Sequence, residues 1–508
     1  MTFDTLTPVG VIGSGAMGSG IASVAAMAGH PVQLFDVDAS QTRSARVKIV
    51  ATWRKRLAAG KVSSERVAAA ESNLDIAAEL SDLAGAGLVI EAVTENLEVK
   101  QSLLAQVEEI VADKCVIASN TSSISITAIA SGLREPSRFL GLHFFNPVPA
   151  MRLVEVVNGL RTDGTLAETM VELMNRWGKS AVICASAPGF IVNHVARPFY
   201  GEAFAMQAER IAPPEAIDAL LRDAAGFKMG PFELTDLIGQ DVNAAANRAV
   251  WAALGHDPRF KPSPFQVELV AAKMLGRKTG RGVYDHAAPV PAPTVVTPSS
   301  VVPPIFVPLE ISDPVLSRLV QRLRDAAIGM ETDALLDADT IAVGDALVAV
   351  ADGRTAASRS AHAEMVEVVL LDAVALHEDA ALMGVTSSVG CGSANVMGVA
   401  AAFARAGTEL VPLADIPGLV VIRTVGQLIN IAIDVVAQGI ANAADVAIAM
   451  QLGTNYPHDL FEWGQAIGAP RLVELLDNLS AEYRDTRHRV TPLLRQFAQL
   501  GRSLSQID

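Results

Sequence analysis

Hydrophobic residues in the first 187 positions form short β-branched runs that alternate with Ala-rich helical stretches. This alternation is typical of βαβ units, in which helices connect parallel strands and cover the faces of one sheet. We therefore expect a doubly wound α/β sheet at the start of the chain. The predicted strands are residues 9–12, 32–35, 88–93, 115–119, 139–143 and 153–157.

The pattern changes after Pro188, where long amphipathic, Ala-rich stretches without strand-like alternation continue to about residue 272. These stretches predict a helical domain. Residues 289–308 then contain seven prolines and no charged side chain, which favours an extended, semi-rigid linker. Beyond the linker, residues 340–350 and 365–371 resemble strands, and a helical ending begins near Pro417.

An internal repeat links the two helical regions at an offset of 229 residues. A constant offset over some 60 residues, including a Pro-Gly pair, is not expected by chance even in an Ala-rich chain. The repeat indicates that the helical domain has been duplicated. The first matching positions are Arg176, Gly178, Val182, Ala185, Pro188 and Gly189, with Arg405, Gly407, Val411, Ala414, Pro417 and Gly418.

A glycine-rich motif follows the first predicted strand and opens a helix near Met17. Gly13 allows a tight turn, Gly15 lets a pyrophosphate approach the backbone, and Gly18 lets helix and strand pack closely. Asp36 ends the second strand, where a carboxylate binds ribose hydroxyls and repels a 2′-phosphate. The pattern predicts a site for NAD rather than NADP. Its candidate residues are Gly13, Gly15, Ala16, Met17, Gly18 and Asp36.

These signals together predict a Rossmann-like doubly wound sheet, an all-α domain, a degenerate α/β segment and a second all-α domain. The degenerate segment contains no further glycine motif of this kind. The predicted boundaries are 1–187 for the NAD-binding domain, 188–286 for the first helical domain, 287–308 for the linker, 309–416 for the degenerate segment and 417–508 for the second helical domain.

Composition narrows the possible partners. The net charge of −15 repels polyanions, so no nucleic-acid partner is expected. A mean hydropathy of +0.33 argues against disorder, and no apolar run is long enough to span a bilayer. The three cysteines lie far apart without CxxC spacing, which favours a reducing compartment and no metal site. With no export signal near Asp4, we expect a cytoplasmic protein.

One basic stretch stands out against this acidic background. Residues 43–61 contain seven lysines and arginines, and no acid lies between Ala39 and Ser64. The stretch is either a solvated helix face or a local site for an anion such as coenzyme A. Composition does not decide between these two interpretations.

His143 and Glu155 form the third candidate site. His143 ends a predicted strand at the sheet edge where open α/β sheets bind ligands. Glu155 lies in the apolar run 153–157, where a carboxylate needs a partner to offset its desolvation. If that partner is His143, the pair is a general base held by a carboxylate. From the residues alone, a histidine at such a position is more often structural than catalytic.

Several motifs closely resemble those of the 3-hydroxyacyl-CoA dehydrogenases, and the resemblance covers residues 5–286. The longer chain is similar to a bacterial branch with two C-terminal helical domains, which includes 3-hydroxyadipyl-CoA and 3-hydroxybutyryl-CoA dehydrogenases of phenylacetate degradation. The motifs are SNTSS at 119–123, HFFNPVPAMRLVEVV at 143–157, PGFIVN at 188–193, GPFEL at 230–234 and GRKTGRGVY at 276–284.

The resemblance implies NAD-dependent oxidation of a (3S)-3-hydroxyacyl-CoA to the 3-oxoacyl-CoA, in phenylacetate or fatty-acid breakdown. It implies that His143 is the general base and that Glu155 holds its imidazole, while Ser122 and Asn193 complete the catalytic pocket. It assigns further cofactor contacts to Glu95, Lys100 and Asn120. It assigns the CoA phosphates to Arg54, Lys55, Arg56 and Lys61.

Two departures from the family pattern matter. His194 stands where the family has an arginine, and Ile422 occupies the repeat position of Asn193. We therefore expect no second active site, and the second helical domain to replace a partner subunit in cis, although a homodimer is also possible. The rival functions are a dehydrogenase of the same fold that acts on a hydroxy compound without CoA, and an inactive structural or binding relative.

Overall fold

The computed structural model describes residues 3–363 and 366–507. The chain forms two compact units. The first comprises Met1–His194 with Gln438–Thr454, and the second comprises Val195–Ala437 with Asn455–Asp508. This division differs from the predicted domains, because one segment of the second helical copy belongs to the first unit. No helix in the described part of the chain is long and apolar enough to cross a membrane.

The first unit contains an eight-stranded sheet in the order β3-β2-β1-β4-β5-β6-β7-β8. The strands are β1 Val9–Ile12, β2 Val32–Phe35, β3 Leu74–Ile76, β4 Leu88–Glu91, β5 Val116–Ser119, β6 Phe139–Phe144, β7 Leu153–Asn158 and β8 Ser180–Ala185. The helices are α1 Ala16–Met27, α2 Ala39–Ala58, α3 Ser64–Asn73, α4 Leu97–Ile110, α5 Ile126–Ala130, α6 Gly164–Arg176 and α7 Val192–Val195, with α17 Ala443–Thr454 added from later in the chain.

This sheet confirms the predicted α/β class and all six predicted strands. The strands from β3 to β6 run parallel, and β7 turns antiparallel to β6. Most strand residues are buried on both faces, as expected when helices cover a parallel sheet. The predicted strand 88–93 ends earlier, at Glu91, where the Val93 N–H donates to the Glu91 carboxylate. The sequence prediction missed β3 and β8.

The second unit contains both helical copies and a seven-stranded mixed sheet in the order β10-β9-β11-β12-β13-β14-β15. Its strands are β9 Ile305–Val307, β10 Glu331–Thr332, β11 Ile341–Val343, β12 Ala346–Val350, β13 Val368–Asp372, β14 Leu382–Ser387 and β15 Glu409–Pro412. Its helices are α8 Arg197–Ala208, α9 Pro214–Ala219, α10 Pro231–Ile238, α11 Gln240–Ala253, α12 Pro264–Ala271, α13 Pro314–Asp325, α14 Ala356–His362, α15 Ser393–Arg405, α16 Val421–Ala437, α18 Leu460–Ile467, α19 Ala469–Tyr483 and α20 Pro492–Leu500.

Two predictions for this unit need correction. The predicted linker 287–308 includes β9, and the Val296 N–H donates to the Leu410 carbonyl, so the Pro-rich segment is bound along the second sheet. The predicted strand 340–350 is a hairpin, since β11 and β12 pair antiparallel. The predicted strand 365–371 corresponds to β13, and its first residue, Met365, lies outside the described residues.

The offset of 229 residues also holds for the observed elements. α10 and α18 have the same bounds after the offset, and so do β7 and β14, and α6 and α15. The pairings recur too: β13 is antiparallel to β14, and β14 is parallel to β15, as in β6, β7 and β8. The duplication therefore includes part of the sheet as well as the helical domain.

Candidate active site

The glycine loop lies at the carboxyl end of β1 and leads directly into α1. Gly13 has a φ of +100°, and a Cβ there would lie 2.5 Å from the Ala92 carbonyl oxygen. A Cβ on Gly18 would lie 1.8 Å from the Gly13 carbonyl oxygen, whereas one on Gly15 would meet no atom within 4 Å. The loop thus packs tightly on the protein side and is open at Gly15, as a pyrophosphate at a helix N-terminus requires.

Asp36 lies at the end of β2 and contacts this loop. Its Oδ2 accepts hydrogen bonds from the Ser14 N–H at 2.7 Å and from the Ser14 hydroxyl at 2.9 Å. A cavity of about 490 Å³ opens beside the loop and is lined by Ser14, Gly15 and Ala16. These residues fit the phosphates and the adenosine ribose of NAD, with no conflict at the loop.

A buried ion pair between Lys100 and Glu91 lies at the carboxyl ends of β4 and β5, and it was not predicted from the sequence. The Lys100 ammonium is 1% exposed and lies 2.8 Å from the Glu91 carboxylate, which also accepts a hydrogen bond from the Ser119 hydroxyl. Lys100 also lies 3.4 Å from Glu95. The predicted cofactor residue Lys100 therefore links β4, β5 and the loop of Glu95. An isolated glutamate in an apolar strand, as at Glu91, was the available signal.

Glu95 organises the loop that carries Ser122. Its Oε1 accepts hydrogen bonds from the Thr121 hydroxyl at 2.6 Å and from the Ser122 N–H at 2.9 Å. Desolvation alone would raise the pKa of Glu95, but these bonds and the Lys100 charge hold that pKa below its ordinary value. The Ser122 hydroxyl is 3.5 Å from the same oxygen and exposed. Asn120 is buried, and its Oδ1 accepts from the Phe144 N–H at 2.9 Å.

His143 and Glu155 are direct neighbours across the antiparallel pair β6 and β7. Their side chains share one face of the sheet, and His143 Nδ1 lies 2.6 Å from Glu155 Oε2. The contact is shielded, since Glu155 is fully buried and His143 is 5% exposed. The rings of Phe145 and Phe190 lie 4.5 and 5.6 Å from the imidazole, centroid to centroid.

The second oxygen of Glu155 is held by the start of α7. Its Oε1 accepts hydrogen bonds from the Ile191 and Val192 N–H groups, both at 2.9 Å. A buried carboxylate with both oxygens bonded is fixed in orientation, and so is the imidazole that it faces. Asn193 follows directly on α7. The structure thus brings the predicted residues His143 and Glu155 together and places Asn193 on the adjoining helix.

The predicted CoA-binding residues have different surroundings. Arg54 forms a two-bonded ion pair with Glu71, both bonds at 2.9 Å. Lys55 is exposed on α2. Arg56 and Lys61 instead line a cavity of about 350 Å³. Its other cationic residues are Arg66 and Lys179.

The repeat positions in the second unit have lost this chemistry. At the offset of 229, Asp372 on β13 replaces His143, and it stands opposite Gly384, which replaces Glu155. Asp372 accepts hydrogen bonds from the Val420 and Val421 N–H groups, the counterparts of Ile191 and Val192. A carboxylate still holds the helix start, but no imidazole remains beside it.

A glycine loop at the carboxyl end of a parallel sheet, beside a buried imidazole and carboxylate, defines an NAD-dependent dehydrogenase. The family model of the 3-hydroxyacyl-CoA dehydrogenase NAD-binding domain matches residues 8–187, and that of the C-terminal domain matches 189–286 and 418–505. The 3-hydroxybutyryl-CoA dehydrogenase reduced Rossmann-fold domain matches 348–417. The chain belongs to the 3-hydroxyacyl-CoA dehydrogenase family. Its prediction as an NAD-dependent oxidoreductase of this family is confirmed.

Similar proteins include both long and short forms. The chain is 41% identical to 3-hydroxyadipyl-CoA dehydrogenase of Escherichia coli K12, over 97% of both chains. A solved structure of 3-hydroxybutyryl-CoA dehydrogenase from E. coli K12 superimposes with a TM-score of 0.88, at 40% identity, and covers 97% of this chain and 98% of the other. The 3-hydroxybutyryl-CoA dehydrogenase of Bradyrhizobium diazoefficiens is 40% identical over 56% of this chain and 97% of its own length.

Proposed function

We propose that the chain oxidises a short or dicarboxylic (3S)-3-hydroxyacyl-CoA to the 3-oxoacyl-CoA, with NAD as oxidant and His143 as general base. The observation that carries the proposal is the 2.6 Å contact between His143 Nδ1 and Glu155 Oε2 in a buried site. The long relatives, named for 3-hydroxyadipyl-CoA and 3-hydroxybutyryl-CoA, favour a place in phenylacetate or fatty-acid breakdown.

The contact with Glu155 supports Nε2 as the nitrogen that acts as the base. Glu155 Oε2 accepts the proton on Nδ1, so Nε2 of the neutral imidazole is left with its lone pair. Nε2 removes the proton of the 3-hydroxyl, and the C3–O bond becomes the carbonyl as C3 loses its hydrogen with both electrons. Bound NAD would accept that hydride at its nicotinamide ring. Glu155 then stabilises the positive charge on the imidazole.

We assign Ser122 and Asn193 to the substrate side of the pocket. Ser122 follows β5, in a loop held by Glu95, and its hydroxyl is exposed. Asn193 follows the two residues whose N–H groups hold Glu155. Hydrogen bonds from these side chains to the reacting oxygen or the thioester carbonyl would favour the charge that develops during oxidation. Glu95, Lys100 and Asn120 remain our candidates for the cofactor side.

The anionic part of CoA is assigned to the cavity of Arg56, Lys61, Arg66 and Lys179. The Lys179 ammonium is 8% exposed and donates to the Met151 carbonyl at 2.7 Å and to the Val148 carbonyl. Burial without a carboxylate partner lowers the pKa of Lys179 to about 8, so an incoming phosphate would stabilise its charged form. Arg54 is the weakest candidate among the predicted residues, because Glu71 already neutralises it.

We place the enzyme in the cytoplasm, because all three cysteines are free, which fits a reducing compartment.

We also infer that the second helical copy replaces a partner subunit. Within the second unit, Arg423 of α16 is fully buried and pairs with Glu202 of α8 at 2.6 Å. The two helical copies are therefore joined by a buried ionic contact as well as by apolar packing.

The experiment that tests the activity is a steady-state comparison of NADH formation across substrates. We expect turnover with (3S)-3-hydroxyadipyl-CoA, (3S)-3-hydroxybutyryl-CoA or both, and none with the free hydroxy acids or the (3R) isomers. Turnover of free hydroxy acids at comparable kcat/KM would favour the dehydrogenase without CoA dependence. No NADH formation with any 3-hydroxyacyl-CoA would favour an inactive relative.

A further inference from the structure

The outer strand of the first unit is completed by a segment of the second helical copy. β8 ends the sheet order, and its Ala185 N–H donates to the Ile440 carbonyl at 2.8 Å. The Ile183 N–H donates to the Asp445 carboxylate at 3.2 Å. Desolvation raises the pKa of Asp445, in keeping with its position against the sheet. This segment thus satisfies hydrogen-bonding groups that an open strand edge would leave to solvent.

Helix α17, which follows this segment, approaches the catalytic strand very closely at Gly453. It packs against β7 and β8. A Cβ on Gly453 would lie 2.8 Å from Leu153 Cδ2 and 3.0 Å from Val192 Cγ2. Only a residue without a side chain fits this approach without displacing one of these two neighbours.

Both neighbours of Gly453 lead directly to the catalytic pair. Leu153 lies two residues before Glu155 on β7, so the two side chains share one face of the sheet. The Val192 N–H is one of the two groups that hold Glu155 Oε1, and Glu155 Oε2 holds His143. A shift of Val192 or β7 would therefore move the carboxylate that orients the base.

The second unit contains the equivalent contact at the repeat positions, but it lacks the histidine and glutamate pair. There the Ala414 N–H donates to the Ile211 carbonyl at 2.9 Å, as Ala185 does to Ile440. The repeat position of Gly453 is Ala224, at the end of the helical turn that follows α9 and packs against β14. A methyl group is accommodated where Asp372 and Gly384 replace His143 and Glu155.

We infer that α17 positions the His143 and Glu155 pair through Gly453 and Asp445, so that the second helical copy is required for catalysis in the NAD-binding domain. This inference rests on the proposed role of His143 as the base. Gly453 and Asp445 are positioning residues, since they act through Val192 and the two strands rather than on substrate.

The test compares Gly453→Val with the variant at the equivalent repeat position, Ala224→Val. Both are made in the full-length chain and assayed by single-turnover NADH formation from 3-hydroxybutyryl-CoA. We expect Gly453→Val to lower the rate constant about tenfold or more, because a displacement of even 1 Å in a reacting constellation is costly. The KM for the acyl-CoA and the Kd for NAD should stay within about twofold. Ala224→Val overpacks a site that is buried more fully than Gly453, and its rate constant should stay near that of the parent enzyme.

The readout separates positioning from simple loss of folded protein. Fewer folded molecules lower the amplitude of the single turnover, whereas a misplaced base lowers its rate constant. An unchanged rate constant in Gly453→Val would overturn the inference, and so would equal losses in both valine variants. If Gly453→Val does not fold, Asp445→Ala and Asp445→Asn decide the question. The asparagine keeps the acceptor for Ile183 and should retain the parent rate constant, while the alanine should lose about tenfold.

The proposed function fails independently of this inference. If His143→Gln keeps the parent rate constant, the base assignment is wrong whatever Gly453 does. If His143→Gln is inactive and both Gly453→Val and Asp445→Ala keep the parent rate constant, only the positioning role of α17 is refuted.

Discussion

At the scale of single residues, the Glu155 carboxylate has two roles: it orients His143, and it accepts hydrogen bonds from the backbone at the start of α7. Glu155 Oε1 is held by two backbone N–H groups of α7, and Oε2 faces His143 Nδ1. Without these bonds a fully buried carboxylate would be strongly destabilised by desolvation. The charge and the hydrogen-bonding shape of Glu155 can therefore be separated by substitution.

Glu155→Gln keeps an oxygen for the α7 N–H groups but removes the charge. Its amide can donate to Nδ1, which places the imidazole proton on Nε2, the wrong position for a base. We expect kcat to fall by about 10²–10⁴-fold, in steady-state assays, with NAD affinity unchanged. Glu71→Gln, which removes the surface partner of Arg54, is the control and should keep full activity. Full activity in Glu155→Gln would show that the carboxylate is purely structural.

The CoA assignment also makes a prediction at this scale. Arg56→Ala with Lys61→Ala removes two cations from the 350 Å³ cavity, and we expect the KM for the acyl-CoA to rise about tenfold. Arg54→Ala removes a cation that already pairs with Glu71, so its KM should change by less than about twofold. A larger effect from Arg54→Ala than from the double variant would reverse the assignment. Steady-state kinetics at low and high salt provide the measurement.

At the scale of elements, the two halves use the same strand register for different purposes. His143 faces Glu155 across β6 and β7, and Asp372 faces Gly384 across β13 and β14. Each pair of strands supplies one carboxylate to the backbone N–H groups at the start of a following helix, α7 or α16. The second copy has kept the structural duty of the carboxylate and lost the imidazole.

Asp372 gives a pH-dependent prediction for stability. Burial raises the pKa of Asp372 to about 6, above its value in an unfolded chain, although three backbone N–H groups lower it. The folded state therefore binds the proton more tightly, and this stabilisation is present below about pH 4 and is lost as the pH rises to about 6. The loss is about 3 kcal/mol. The unfolding free energy of the parent minus that of Asp372→Asn, from urea titrations, should fall over this range. A difference that stays constant or rises over this range would contradict a raised pKa for Asp372.

The elements that could be predicted from the sequence are those that carry a recognisable motif in or beside them. The glycine loop, Asp36, and the His143 and Glu155 strands each have a motif within a few residues of the element that carries it. β8 was missed although Gly178, with a φ of +78°, ends the preceding helix, because Ser180–Ala185 is a short run that is completed by the distant residues 440–445. Of the duplicated strands, β13 was predicted, whereas β14 and β15 were missed, because β14 has the register of β7 but not its motif residues.

Pairwise contacts between distant residues were also beyond the sequence. Lys100 was predicted as a cofactor contact from the resemblance, yet its ammonium is enclosed by Glu91. The isolated Glu91 in the apolar strand β4 indicates a buried partner, but nothing in the spacing shows that α4 supplies it. Likewise, the basic run did not show that Glu71 neutralises Arg54 while Arg56 and Lys61 line a cavity.

At the scale of the whole molecule, buried charged side chains join the second helical copy to the first. Arg423 has no exposed side-chain surface and contacts Glu202 at 2.6 Å and Glu209 at 2.7 Å. Desolvation would raise the pKa of Glu202, but the charges of Arg487 and Arg423 hold it well below the ordinary value. Removing one partner from such a cluster leaves an uncompensated buried charge, which typically costs about 3–5 kcal/mol.

Truncation tests whether this contact replaces a partner subunit. A chain ending at residue 286 would expose Glu202 and the apolar side of α8. We expect this truncated chain to self-associate or precipitate, which size-exclusion chromatography with light scattering will detect. A truncated protein that is soluble, monomeric and fully active would refute the prediction.

The central claim is that a single base, His143, serves the whole chain, and His143→Gln tests it most directly. The glutamine removes the base and leaves the glycine loop and Asp36 untouched. We expect single-turnover NADH formation from 3-hydroxyacyl-CoA to slow by about 10²–10⁴-fold, while the Kd for NAD, measured by calorimetry, stays within about twofold. A parent-like rate constant would mean that another residue is the base, and a large loss of NAD binding would mean that His143 belongs to the cofactor site.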